Sequence, residues 1–202
     1  MNTSLMDMPG YKYAEYLLVL NPHEDLRNRI TSIKKEFHAT YKTATASGGR
    51  PHVTLAKFVV WEMMEDKIVN RLKVIAMGMP PFKVLLKDFG SFPSHTIFIN
   101  ITSKIPIQYL LKEVRVAKRL MKSPDHDSYF ITEPFISIAR KLTPAQYEKG
   151  WLEYSNRSFT ASFIADGMLL LKRREGQKAY QIVQRFEFMN LPVTTRQGEL
   201  FA

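Results

Sequence analysis

The residues best suited to chemistry lie in the short segment PHVTLAK at residues 51–57. His52 and Thr54 place an imidazole and a hydroxyl two residues apart in this segment. An imidazole can take up or release a proton at physiological pH because its unperturbed pKa lies near neutrality. Alternate side chains of a β-strand share one face, so a strand here would turn both groups toward one ligand. The pair is therefore suited to hold a tetrahedral anion and to move a proton beside it.

A second segment, PFISIAR at residues 134–140, repeats the first position by position. Both segments give a proline, a ring, a β-branched aliphatic residue, a hydroxyl, an aliphatic residue, an alanine and a base. Ser137 stands where the first segment has Thr54, but Phe135 stands where it has His52. A pattern repeated in both halves of a chain indicates an internal duplication. Two such strands facing each other would surround a phosphate from both sides.

The basic residue that closes each segment is Lys57 in the first and Arg140 in the second. Strict alternation along a strand puts both bases on the opposite face from the hydroxyls. A role for either base beside the hydroxyls therefore needs a twist or a β-bulge in its strand.

Apolar periodicity and turn residues predict a chain in which helices and strands alternate. The predicted order is strand, helix, strand, helix, two strands, helix, strand, helix and two strands, with no linker that splits the chain. The predicted strands are Tyr16–Leu20, Pro51–Val60, Phe82–Asp88, Thr96–Thr102, Phe135–Leu142, Phe159–Lys172 and Ala179–Met189. Capping patterns predict that helices begin just after Asn21 and Thr143. We expect Thr43–Arg50 to form a flexible polar loop.

The chain has 202 residues, no cysteine and a net charge of +10. The absence of cysteine excludes disulfide bonds, thiolate catalysis and cysteine-ligated metal, and it fits a reducing compartment. No apolar run approaches the roughly 20 residues of a membrane-spanning helix, and the start of the chain lacks the pattern of a signal peptide. We therefore expect a soluble cytoplasmic protein that does not bind a membrane. The basic charge fits either attraction to a polyanion such as nucleic acid or a solvated basic surface.

The two framed motifs and the order of elements resemble the 2H phosphoesterase superfamily, whose 2′-5′ RNA ligase-like members carry one His-x-Thr/Ser motif in each of two lobes. The resemblance implies an α+β fold in which duplicated strand–helix halves surround a central cleft. It covers nearly the whole chain, so we expect residues 1–191 to form a single domain of two pseudo-symmetric lobes. Residues 192–202 are expected to form a flexible tail.

The same resemblance implies hydrolysis or ligation at 2′,3′-cyclic phosphates or 2′-5′ phosphodiester bonds of RNA or nucleotides, without a metal or a cofactor. By the match of motifs, the candidate catalytic residues are His52 and Thr54, and the candidate substrate contacts are Ser137, Phe135 and Arg140. Phe135 departs from the family pattern and removes one of the two proton-transfer groups. The loss of such a group lowers a rate by about 10²–10⁴-fold. We expect a monomer with reduced or altered activity.

Three functions remain open on the sequence. An enzyme with weak or altered phosphodiesterase or ligase activity is favoured by the intact His52 and Thr54. A module that binds phosphate without turnover is favoured by Phe135, whose ring could stack on a base or merely fill the space of the missing imidazole. A scaffold for a protein contact is disfavoured, because such a cleft has little need of a hydroxyl in both motifs. The substitute acid considered is His126, in the loop Asp125–Asp127.

Overall fold

A computed structural model describes residues 10–43 and 49–192 of the chain. Residues 44–48 of the predicted polar loop and residues 193–202 of the predicted tail lie outside the described residues.

Nine strands and four α-helices make up the regular structure of the described residues. The strands are β1 (Tyr13–Leu20), β2 (Val53–Trp61), β3 (Phe82–Phe92), β4 (Thr96–Ile101), β5 (Tyr129–Phe130), β6 (Phe135–Arg140), β7 (Thr160–Ala165), β8 (Gly167–Arg174) and β9 (Gln181–Glu187). The α-helices are α1 (Glu24–Tyr41), α2 (Glu65–Gly78), α3 (Lys104–Arg115) and α4 (Pro144–Tyr154). Glu62–Met64 and Lys118–Met121 form short 3₁₀ helices.

The strands form two antiparallel sheets, and each sheet holds one of the two repeated segments. The first sheet has the order β5-β2-β1-β8-β9 and the second has the order β6-β4-β3-β7. We call β2 and β6 the motif strands because they carry most of the repeated segments. The predicted α+β architecture of two lobes is confirmed.

The helices cover the outer faces of the sheets and tie the two lobes together. Helix α1 follows a strand of the first sheet but packs against β6 of the second, and α4 packs against β4 beside it. The buried side of α1 includes Ile30 and Phe37, while Ile97 and Ile136 are buried on the second sheet. Each fully buried side chain of this kind contributes about 1.5–3 kcal/mol by leaving water. The motif strand β6 is therefore supported on its buried face by α1, a helix from the other half of the chain.

Two boundaries differ from the sequence prediction. The predicted strand Phe159–Lys172 is wrong, because the chain breaks at the exposed Asp166 and passes from β7 in the second sheet to β8 in the first. Gly167 permits this crossing, since a Cβ there would lie 2.5 Å from a backbone oxygen of Phe186. The first helix begins at Glu24 after His23, which makes no side-chain capping bond, so the predicted start after Asn21 is also wrong.

The capping box that opens α4 is confirmed. The backbone N–H of Gln146 donates to the Thr143 hydroxyl, and the backbone N–H of Thr143 donates to the Gln146 side chain. None of the helices in the described ranges combines the length and the apolar character needed to cross a membrane.

Candidate functional site

The motif strands contact each other where the two sheets meet. A cleft of about 270 Å³ lies there, between the residues that precede β2 and the end of β6. Its lining combines both repeated segments with one residue of α1: Lys34, Gly49, Arg50, Pro51, His52, Ser137, Ile138, Arg140 and Lys141. The two halves of the chain therefore meet at the predicted residues His52, Ser137 and Arg140.

Motif strand β2 contains a β-bulge next to its hydroxyl. In the pairing with β1, Ala56 lies opposite Leu18 and Thr54 lies opposite Val19, so Leu55 is an extra residue. Leu55 and Ala56 are both fully buried, as expected when a bulge turns two successive side chains to one side.

Motif strand β6 contains a bulge at the equivalent position. In the pairing with β4, Ala139 lies opposite Ile97 and Ser137 lies opposite Phe98, so Ile138 is the extra residue. Ile138 and Ala139 are again both buried. The duplication therefore extends from the residue types to a local irregularity of the backbone.

These bulges change the face on which each closing base lies. After the extra residue, Arg140 returns to the face of Ser137 and lines the cleft. Lys57 likewise returns to the face of Thr54, but its ammonium pairs with Glu15 at 2.6 Å and it is not part of the cleft lining. A role of Arg140 beside the hydroxyls required a bulge in its strand, and the bulge is present. Lys57 is directed toward a carboxylate instead.

His52 is half-buried at the cleft, and its ring is held in one tautomer. Its Nδ1 lies 2.8 Å from the backbone carbonyl oxygen of Arg50. A carbonyl can only accept, so Nδ1 carries the proton in the neutral ring and Nε2 keeps a lone pair. Burial lowers the pKa of His52, the charges of Arg140 and Lys34 lower it further, and the bond to the carbonyl opposes them. The ring is therefore neutral and able to accept a proton at pH 7.

Lys34 brings a buried positive charge to the cleft. It is 7% exposed, and its Nζ donates to the carbonyl oxygen of Gly49 at 2.8 Å. Burial lowers its pKa and the charge of Arg140 lowers it further. No carboxylate of the described chain forms an ion pair with Lys34, and none is among the residues that line the cleft. An anion is the partner that this arrangement lacks.

The two hydroxyls of the motifs lie on the inner faces of their strands and are half-buried. Ser137 lines the cleft, and Thr54 lies two residues beyond His52 on the adjoining stretch of β2. Within residues 10–43 and 49–192 neither hydroxyl makes a hydrogen bond, which leaves both available to a ligand. Their roles in catalysis and binding stay predictions.

Phe135 lies in an aromatic cluster, which we define as Phe92, Phe98 and Phe135. Its ring centroid is 4.8 Å from that of Phe98 and 5.3 Å from that of Phe92. The guanidinium of Arg140 lies 5.7 Å from the Phe135 centroid, within cation–π range. The second motif therefore presents an apolar ring at the position equivalent to His52 and offers no exchangeable proton there.

His126 does not reach the cleft. Its ring lies 5.3 Å from Tyr13 and its Nδ1 is 3.4 Å from the Ser123 hydroxyl, at the end of β2 remote from His52. The hypothesis that His126 replaces the missing acid is therefore wrong. No group of three or more histidine and carboxylate side chains suited to a metal occurs among the residues that the structure describes.

Three basic residues of the cleft were missed by sequence reasoning. Arg50 and Lys141 directly flank the two repeated segments, and this position in the sequence was the one indication that they line the cleft. Lys34 gave a stronger one, because it occupies a core position four residues after Ile30 on the apolar face of α1. A lysine is uncommon at a buried helical position, and this break in the apolar pattern marks Lys34 as a candidate functional residue.

Several solved structures share this fold at low sequence identity. E. coli LigT complexed with 3′-AMP has a TM-score of 0.61 at 17% identity, over 88% of this chain and 99% of that chain. TT0787 of Thermus thermophilus has a TM-score of 0.63 at 14% identity, over 87% and 98%. Usb1 of Kluyveromyces marxianus has a TM-score of 0.50 at 12% identity, over 86% and 99%. At such identities the likeness shows the fold alone.

A family model provides the assignment that these structures do not. No curated protein sequence is detectably similar to the chain. The model of the 2′-5′ RNA ligase superfamily matches residues 22–177, which include both repeated segments, the whole cleft lining and both bulges. The paired motifs, the two sheets and this match agree, and the chain belongs to the 2′-5′ RNA ligase superfamily.

Proposed function

We propose that the cleft binds a phosphate of RNA or of a nucleotide, and that His52 acts there as the single general base in a slow hydrolysis of 2′,3′-cyclic phosphates. The observation that carries this proposal is the bond from His52 Nδ1 to the Arg50 carbonyl oxygen, in a cleft lined by cations. It leaves Nε2 as a proton acceptor beside a place where an anion is stabilised.

The reaction needs two proton transfers, and the chain supplies one. Water attacks the phosphorus, Nε2 of His52 takes a proton from that water, and the bond from phosphorus to one ribose oxygen breaks. The positive charges of Arg140 and Lys34 would stabilise the negative charge that develops on the phosphate oxygens. The hydroxyls of Thr54 and Ser137 would hold those oxygens by hydrogen bonds.

The leaving ribose oxygen must take its proton from solvent, because position 135 is a phenylalanine. The missing general acid would lower the rate by about 10²–10⁴-fold relative to a site with two histidines. The proposal is therefore slow turnover without metal, in a cleft that holds its ligand well.

Structures of E. coli LigT support a ligand of this class for the present cleft, because that protein was solved with 3′-AMP and with NADP+. Both ligands carry phosphate on a nucleoside, which is the chemistry that the cations of the present cleft would recognise.

A binding module without turnover is the second candidate. It is favoured by the aromatic cluster, because Phe135 is packed by two further phenylalanines rather than left beside an empty space. A surface of this kind could contact a base while the cleft holds the neighbouring phosphate.

An assay of hydrolysis separates these candidates. Purified protein in chelator is incubated with a 2′,3′-cyclic nucleotide, and with a short RNA that ends in a 2′,3′-cyclic phosphate. The variant His52→Ala should abolish turnover, while His23→Ala, which removes an exposed histidine outside the cleft, should not. Turnover that survives His52→Ala would contradict the role of His52 as base. Binding without any turnover would establish the second candidate instead.

A further inference from the structure

We infer that a single-stranded nucleic acid extends from the cleft along the inner face of the first sheet, and that an unpaired base stacks at its far end on Tyr13 and Trp61. This inference rests on the proposed function, because a phosphate in the cleft fixes where the strand begins.

The path follows one continuous face of the first sheet. Val59 lies opposite Glu15 and Trp61 lies opposite Tyr13, so these side chains share a face. Because of the bulge at Leu55, this face also carries Thr54 and Lys57, which lie nearer the cleft. The face therefore leads from His52 to the far end of β2 without crossing the sheet.

An aromatic platform lies at that far end. The rings of Tyr13 and Trp61 are stacked, with centroids 3.8 Å apart and planes inclined by 21°. The ring of Tyr11 is 6.3 Å from Trp61, and it lines a groove of about 580 Å³ together with both rings and Lys12. Every nucleobase has a flat π-face, so an aromatic platform of this kind binds bases with little regard to sequence.

Cations lie between the platform and the cleft. Lys57 and Arg173 each pair with the carboxylate of Glu15 at 2.6 Å, so two positive charges share one negative charge. Both cations remain partly exposed. A groove of about 450 Å³ opens beside Glu15 and Arg173 and reaches Tyr13. Arg173 and Arg174 are matched in the groove lining by Glu15 and Glu175. The net positive charge at this point therefore comes from Lys57 beside the groove, which suits a phosphate of a backbone that runs along it.

Tyr129 links this stretch to the cleft. It lies on β5 opposite Lys57, so the two side chains share one face of the sheet. Tyr129 is 56% exposed, so its ring is accessible beside the two cations. The cleft and the platform are therefore joined by a series of accessible basic and aromatic side chains.

The length of the path makes the inference testable. A strand rises about 3.3 Å per residue, so Trp61 lies roughly 23 Å from Thr54 along β2. A mononucleotide held in the cleft does not span this distance, whereas an oligonucleotide does. The platform should therefore affect oligonucleotides and leave mononucleotides unaffected.

The test compares two ligands on the full chain: a 2′,3′-cyclic mononucleotide, and an unstructured hexaribonucleotide that ends in the same cyclic phosphate. Binding of the labelled hexamer is followed by fluorescence anisotropy at constant salt, and binding of the mononucleotide is followed by competition. Trp61→Ala should weaken binding of the hexamer about ten- to a hundredfold. Trp61→Phe, which keeps a flat ring, should retain most of the affinity and shows that the effect is not a loss of fold.

The control variant is Tyr109→Ala, which removes a 54% exposed aromatic residue of α3. It should leave both ligands unaffected, and Trp61→Ala should leave the mononucleotide unaffected. Hexamer affinity that is independent of Trp61, or equal to that of the mononucleotide, would overturn the inference and leave the proposed function standing. Failure of the proposed function would look different: neither ligand would respond to Arg140→Ala, a result that also overturns the continuous path.

Discussion

Leu55 and Ile138 are the extra residues of two β-bulges that occupy the same place in the two motif strands. Each bulge follows the motif hydroxyl and turns the closing base back to the hydroxyl's face. The two bases then differ in their partners, because Glu15 pairs with Lys57 while Arg140 lines the cleft. Both halves of the duplication thus contain the bulge, while the surroundings of the closing bases differ.

We expect Arg140→Ala and Lys57→Ala to have unequal effects on a mononucleotide. Arg140→Ala removes a cation from the cleft and should weaken binding by about 1.5–3 kcal/mol, with a salt dependence that is flatter by roughly one phosphate contact. Lys57→Ala should change this affinity little, because Lys57 lies outside the cleft lining. Titration calorimetry at several salt concentrations measures both quantities. Equal losses in the two variants would contradict the assignment of the bulges.

Lys34→Met should weaken phosphate binding without lowering stability. The methionine keeps an unbranched side chain at a buried position and removes a charge that has no anionic partner in the described chain. Replacement of a buried charge by an apolar group is often neutral or stabilising. We therefore expect an unchanged or higher Tm together with weaker phosphate binding. A marked fall in Tm would instead show that the bond to Gly49 is needed for the fold.

Phe135→His should raise turnover, by up to about 10²–10⁴-fold, because it restores a group that can protonate the leaving oxygen. It should also destabilise the protein by about 1–3 kcal/mol, since contacts with Phe92 and Phe98 are lost. The matched variant Phe135→Leu removes the same ring without adding a proton donor. Its turnover should stay at the level of the unaltered protein. An equal gain in both variants would exclude acid catalysis as the cause.

The dependence of turnover on pH should be a plateau with an acid limb. The pKa of His52 is lowered, chiefly by burial, so the ring stays neutral until the pH falls below its usual value of 6.5. The value of kcat/KM, which reports the ligand-free protein, should therefore be lost only below that pH, as the base becomes protonated. No second histidine is present at position 135 to produce a basic limb, and Phe135→His should convert the plateau into a bell.

Affinity should change with pH in the opposite sense to turnover. A 2′,3′-cyclic phosphate keeps one negative charge across this range, while His52 gains a positive charge as the pH falls through its pKa. The cleft should therefore bind the ligand more tightly at low pH while it turns the ligand over more slowly. Parallel loss of affinity and turnover would contradict a neutral base at His52.

The alternation and repetition of residue types predicted the two motif strands, and the resemblance to the 2H phosphoesterases implied the two-lobed fold and a central cleft. The face of β6 on which Arg140 lies could not be predicted from the alternation of side chains along a strand. One extra residue reverses that alternation, and an isoleucine at position 138 does not by itself indicate a bulge. The place of Lys34 depends on a long-range contact between α1 and the segment before β2. The partners of Phe135 come from β3 and β4. Its packing therefore could not be predicted from the residues next to it in the sequence.

The break at Asp166 also could not be predicted from local residue patterns, because it depends on the topology of the sheets. The segments on both sides of Asp166 are rich in apolar residues, so their pattern predicts one long strand. Only the pairing of β7 with β3 and of β8 with β1 divides them between two sheets.

The central claim is that His52 is a neutral base held beside a bound phosphate, and an NMR titration of the histidine side chains tests it most directly. In the free protein, His52 should carry its proton on Nδ1 and titrate with a pKa below 6.5. Addition of a 2′,3′-cyclic nucleotide should raise that pKa, because an adjacent anion stabilises the imidazolium, and His23 should not respond. A His52 that titrates at or above 6.5, and that does not change when the nucleotide is added, would contradict the account.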